Sequence, residues 1–122
     1  MDSKEKTDAE IFRALKKIMA SVAPELRVKD DTATNYQLIT RSASWKGQPM
    51  FFGAVMRKSY VSYHLMPVYW KPALLEGLSP QLRKRMQGKS CFNFRKVEPA
   101  LFEELAILTK TCLESYREAK LL

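Results

Sequence analysis

The 122-residue chain is short of several things, and each shortage excludes something. No apolar run approaches the roughly 18 residues of a membrane-spanning helix, so no membrane partner is expected. Met1-Asp2-Ser3-Lys4-Glu5-Lys6 leads into no apolar segment, so no secretory signal is expected. Two cysteines, Cys91 and Cys112, cannot form a disulfide framework. They read as reduced thiols, which places the protein in the cytoplasm. There is one histidine, His64, and no HxxxH or CxxC spacing. A zinc site needs more ligands than that, so no metal and no cofactor is expected. No repeat and no low-complexity segment is present.

Acid is the scarcest commodity, but only in the middle of the chain. Residues 32–97 hold eleven Lys/Arg against a single acid, Glu76, a net +10. Residues 1–31 are neutral and residues 98–122 carry −2, which leaves +8 for the whole. Basic charge on a folded segment, rather than on a tail, points to an anionic partner or a steering field. Length allows one domain, residues 1–122, with enough core to dispense with staples.

The densest apolar run lies at 51–69 and reads as a hairpin, strands 50–56 and 60–66 around an Arg57-Lys58-Ser59 turn. Alternation puts Val61, Tyr63 and Leu65 on one face and Tyr60, Ser62, His64 and Met66 on the other. The first set should meet the helices. Pro67 should end the pairing, since it has no N–H to donate.

Before the hairpin, Thr7-Asp8-Ala9-Glu10 fits a capping box. Ile11, Phe12, Leu15, Ile18, Met19 and Val22 then make one apolar helical stripe, closed ahead of Pro24. Residues 27–33 read as a loop, 36–40 as a strand, and 42–49 as a loop in which Trp45 caps the core edge. After the hairpin, 70–77 reads as a helical turn closed by Gly77. Ser79-Pro80 caps a helix over 80–87 that buries Leu82 and Met86, shows Arg83, Lys84 and Arg85 outside, and ends at Gly88. Residues 90–95 alternate as a strand, with Phe92 and Phe94 inward and Cys91, Asn93 and Arg95 on the opposite face. Glu98-Pro99 opens the last helix, whose stripe runs Leu101, Leu105, Leu108, Cys112, Tyr116 and is widened by Phe102, Thr109 and Leu113. Cys112 is thus a core residue. Asp30-Asp31 and Glu103-Glu104 read as a solvated loop and a solvated helix face. The order predicts an α+β fold: an antiparallel sheet of four to five strands with the terminal helices on one face.

The other face gathers the candidate site: Tyr60, Ser62 and His64 from one strand, Cys91, Asn93 and Arg95 from another, with Lys89 beside them. His, Cys and Asn together can make an imidazole-activated thiol. No nucleophile-elbow or thiol-protease signature surrounds Cys91, so no catalytic residue is assigned. Arg83, Lys84, Arg85 and Lys96 form a second candidate, an anion-binding patch that Arg57, Lys58 and Lys71 can extend. Tyr60, Tyr69 and Trp70 lie near it in sequence. Cations beside stacking rings are what sequence-tolerant single-strand binding uses.

The strings Met50-Phe51-Phe52-Gly53, Tyr60-Val61-Ser62-Tyr63-His64-Leu65-Met66-Pro67-Val68-Tyr69 and Gly88-Lys89-Ser90-Cys91-Phe92-Asn93-Phe94 resemble the YdhG-like family of small bacterial proteins. The similarity runs from Pro24 to the last helix. The resemblance implies an α+β domain with an antiparallel sheet. Some members are described as frataxin-like iron chaperones, a role that needs carboxylate ligands. With one acid in 66 residues of sheet region, no metal ligands carry over. Gly88-Lys89-Ser90 is no phosphate loop either, because Arg83 stands where that motif has glycine.

The expectation is a non-enzymatic binding or interaction module whose basic sheet region takes an anionic ligand or nucleic acid. The alternatives are a small-molecule or catalytic site at His64 and Cys91, and a frataxin-like metal chaperone. A homodimer through the open sheet face is a further possibility for its assembly.

Overall fold

A computed structural model describes residues 3–41 and 51–120. The predicted loop at 42–49, Trp45 within it and the strand start at Met50 lie outside the described residues. The elements run α1 (Ser3–Ala20), a 3-10 turn (Ala23–Glu25), β1 (Arg27–Asp31), β2 (Asn35–Ile39), β3 (Phe51–Met56), β4 (Val61–Leu65), α2 (Met66–Trp70), a 3-10 turn (Pro72–Leu75), α3 (Pro80–Arg83), β5 (Met86–Gln87), β6 (Cys91–Phe94) and α4 (Pro99–Glu118). All six strands form one sheet in the order β1-β2-β3-β4-β6-β5, every neighbouring pair antiparallel. The fold is the α+β arrangement expected, with more strands. No helix among the described residues is long and apolar enough to cross a membrane.

The alternation of apolar residues decides which face is covered. Tyr36 and Leu38 on β2, Phe52 and Ala54 on β3, Val61, Tyr63 and Leu65 on β4, and Phe92 and Phe94 on β6 are all buried. They line up across the strands, with Ala54 opposite Tyr63 and Tyr63 opposite Phe92. α1 lays Ile11, Phe12, Leu15 and Met19 into this layer and packs against α4. α4 adds Phe102, Leu105, Leu108, Cys112 and Tyr116. Ring contacts bind α4 to the sheet: Phe94 meets Phe102 edge-on at 4.9 Å, and Phe52 meets Tyr116 at 5.9 Å. The Tyr63 hydroxyl is paired with Thr109 Oγ1 at 2.5 Å inside the core.

Four local expectations are corrected. α1 starts at Ser3, upstream of the supposed capping box. Nothing at Ser3-Lys4-Glu5-Lys6 breaks a helix, so Thr7 and Asp8 lie inside it. Residues 27–31 are a strand, not a loop. β1 is an edge strand, bulged between Val28 and Asp30 and exposed along most of its length, so it shows no alternation to read. The helix over 80–87 stops at Arg83. Met86 and Gln87 instead pair with β6, and the reversal between them uses Gly88 at φ +78°. Glu104 is no solvated side chain: its carboxylate accepts from the Ser79 N–H at 2.7 Å and from the Ser79 hydroxyl at 2.6 Å.

Ser79 is thus the joint between α3 and α4, since its Oγ also accepts from the Leu82 N–H at 3.1 Å. Ser79→Ala removes the cap and one of two donors to Glu104. A loss of about 1–2 kcal/mol is expected from urea denaturation. An unchanged midpoint would remove this joint from the account.

Candidate functional site: a basic cleft beside a histidine–cysteine pair

The sheet face opposite the helices is built from the alternate residues, most of them partly buried. One row runs Gln37, Gly53, His64, Cys91, Gln87 across five strands. The next runs Asn35, Val55, Ser62, Asn93 across four. The absent side chain at Gly53 has a local use. A Cβ there would lie 2.5 Å from Gln37 Oε1, so the Gln37 amide occupies the space above the glycine. That amide is held in turn by donating to Asn35 Oδ1 at 2.8 Å.

Register joins the two strands that sequence alone could not pair. Ser62 faces Asn93 and donates to its Oδ1 at 2.8 Å. His64 faces Cys91, with Nδ1 2.8 Å from Sγ. The other ring nitrogen, Nε2, lies 3.3 Å from Ser90 Oγ. Burial pushes the His64 pKa below its ordinary value. Burial likewise raises the Cys91 thiol, against the lowering pull of the Ser62 and Ser90 hydroxyls and of the Arg57 charge. Both shifts favour the uncharged forms, imidazole and thiol. Asn93 serves Ser62 and is not the histidine's orienter. Cys112, fully buried, has its thiol pushed up to about 12 by desolvation.

Beside this row lies a cleft of about 550 Å³. Tyr60, Asn93, Arg95 and Lys96 line it from the β4–β6 side; Lys84, Arg85, Gln87 and Glu98 line it from the other. Four cations and one acid give it a formal charge of +3. The acid is already engaged. Glu98 takes a two-pronged bond from Arg85, Nε and Nη2 each at 2.7 Å. That fork, with the nearby Lys96 charge, holds the Glu98 carboxyl below the usual range. Lys84 and Arg95 are exposed and form no salt bridge among the described residues.

The structure divides the sequence candidates. Lys84, Arg85, Arg95, Lys96, Tyr60 and Asn93 meet in the cleft; Ser62 and Cys91 stand opposite its lining residues Asn93 and Gln87, and His64 stands one strand further, opposite Cys91. Arg83 turns away and donates to the Leu75 carbonyl at 2.6 Å. Lys89 sits over the Tyr69 ring, 5.8 Å from its centroid, in a separate and more apolar hollow that includes Trp70. Arg85 is not on a helix face. It stands between α3 and β5, its carbonyl accepting from the Asn93 N–H at 2.7 Å. Sequence reasoning missed Glu98 as the Arg85 clamp and Gln37 as the cover of Gly53. A glycine inside a strand was the available signal for the second. Among the described residues no three His, Cys, Asp or Glu side chains gather to hold a metal.

The chain matches no family model, no curated protein and no solved structure with which it was compared. The YdhG-like resemblance rests on the strings quoted for it.

Proposed function

We propose that the protein is a non-enzymatic binding module whose basic cleft takes an anionic partner, with phosphate groups as the recognised chemistry. One observation carries this reading: among the described residues lining one cleft, Lys84, Arg95 and Lys96 converge where the single acid, Glu98, is already paired with Arg85. Converging positive charge is what phosphate backbones bind, and it works without base-specific contacts. The half-exposed Tyr60 ring in the wall offers a stacking surface, as sequence-tolerant single-strand binders use. A cytoplasmic setting fits the two free thiols, Cys91 and Cys112.

The test is fluorescence anisotropy with a labelled mixed-sequence single-stranded oligonucleotide. Arg95→Ala and Lys96→Ala should each weaken binding several-fold, while Arg13→Ala, on the exposed side of α1, should leave it unchanged. Equal losses from all three would reduce the cleft to part of a diffuse positive surface.

Glu98→Gln separates binding from stability. It frees Arg85 and adds one unit of positive charge, so oligonucleotide affinity should rise by a few-fold at low salt. Stability should fall, because Arg85 loses its ionised partner. The pH dependence follows from the lowered carboxyl. The wild-type advantage is full above the unfolded Glu pKa of about 4.3 and is lost as pH falls through the lower folded value. Thermal melts of both proteins between pH 7 and pH 3 should therefore converge at the acid end.

A further inference from the structure

We infer that Cys91 is a base-assisted nucleophilic thiol at the rim of the cleft, and that it takes up small anionic disulfides as mixed disulfides. The reactivity rests on the His64–Cys91–Ser90 geometry; the preference for anions rests on the cleft reading above.

The placement is specific. His64 Nδ1 lies 2.8 Å from Sγ, within reach of the thiol proton. Ser90 Oγ lies 3.3 Å from Nε2, so in the tautomer protonated at Nε2 the hydroxyl can accept the ring N–H while the Nδ1 lone pair faces sulfur. This is the arrangement of a thiol with a general base whose tautomer is fixed by a third group. Cys91 is half-buried, whereas Cys112 is closed off entirely. Two neighbours of Cys91 line the cleft: Gln87, opposite on β5, and Asn93, two residues along the same face. Arg95 stands four residues from Cys91 on the same face, about 13 Å along the chain, so an elongated anion held by Arg95 and Lys96 can extend over Asn93 to the sulfur. Among the described residues the charged or titratable groups acting on Cys91 are Arg57, from the β3–β4 turn, and His64.

The step is a thiol–disulfide exchange and balances without an outside oxidant. Cys91 Sγ attacks one sulfur of the incoming disulfide while its proton passes to His64 Nδ1. The incoming S–S bond breaks, a new S–S bond to Cys91 forms, and the departing thiolate takes the proton from His64. In the uncharged pair that burial favours, the proton moves as the bond forms. Reactivity then levels off once His64 is neutral, instead of climbing with pH up to an ordinary thiol pKa near 8.5.

The experiment follows adduct formation on the full chain by intact-mass and peptide mass spectrometry. Three probes are used: neutral 2,2′-dithiodipyridine, anionic glutathione disulfide and cationic cystamine. One adduct is expected, on Cys91 and not on Cys112, and Cys91→Ser should abolish it. With the neutral probe His64→Gln should slow the reaction at least about tenfold at pH 7. The wild-type rate should reach its plateau near or below pH 6.5, where the variant still rises tenfold per pH unit. The wild-type profile stands alone if the variant does not fold: a rate climbing steadily to pH 8.5 overturns the dyad. Equal rates in wild type and His64→Gln overturn it too. At low salt the anionic probe should outpace the cationic one by about tenfold, and Arg95→Ala with Lys96→Ala should erase that ratio. A ratio near one, with the His64 dependence intact, overturns the anion preference and the cleft reading but leaves the thiol assignment standing.

Discussion

The double reversal Arg95→Glu with Lys96→Glu is expected to reduce affinity for a single-stranded oligonucleotide by on the order of 100-fold near 0.1 M salt. The figure follows from counterion release. Each phosphate contact to a single strand contributes roughly 0.7 to the log–log salt slope, so losing two contacts at 0.1 M removes about 1.4 log units. Two acids placed where phosphates were held add repulsion on top. Both residues are exposed beyond the end of β6 and neither supports the core, so the fold should tolerate the change. Anisotropy titration measures the affinity, and circular dichroism checks that the variant is folded. A folded variant that binds like the wild type would move the anion site elsewhere.

Phe92→Ala should have the largest effect on stability. Phe92 is fully buried on β6, opposite Tyr63 in the register, in the layer that the helices cover. Truncating a buried phenylalanine to alanine costs about 3–5 kcal/mol, from lost transfer energy and the cavity left behind. A domain of this size is stable by about 5–15 kcal/mol, so the variant should be marginal. Its melting temperature should fall by roughly 10–20 °C. β6 also carries Cys91 and Asn93 on its opposite face, so loosening it should disturb the His64–Cys91 contact. A shift of only a few degrees would mean that the strand is not held as described.

The parts of the fold legible in the sequence are those where one face is buried and the other is not. Val61, Tyr63 and Leu65 alternate with Ser62 and His64, and Phe92 and Phe94 alternate with Cys91 and Asn93, so their faces could be assigned without coordinates. α4 showed its buried stripe for the same reason. β1 gave no such signal, because an exposed edge strand buries neither face. β5 was hidden by its length of two residues and by the Arg83-Lys84-Arg85 run before it, which reads as the outside of a helix. α1 begins upstream of the Thr7–Glu10 pattern because a capping-box pattern can sit inside a helix when nothing upstream breaks it.

The candidate site was legible in composition more than in geometry. Alternation put His64 and Cys91 on one face, but only the β4–β6 pairing put them opposite each other. Those strands are joined through α2, α3 and β5, and no local pattern fixes their register. Likewise the basic run 83–85 was visible, but the divergence of Arg83 from Lys84 and Arg85 depends on where α3 ends. The clamp of Glu98 on Arg85 joins residues thirteen apart and follows from that same ending.

The most direct test of the central claim is the salt dependence of oligonucleotide binding by the wild-type protein. Affinities measured by anisotropy across several salt concentrations give a log–log slope that counts the phosphates displaced. Lys84, Arg95 and Lys96, with Arg85 shared with Glu98, predict a slope between about −2 and −3. A slope near zero, or no binding even at low salt, would contradict the account and leave the cleft's charge without an anionic partner.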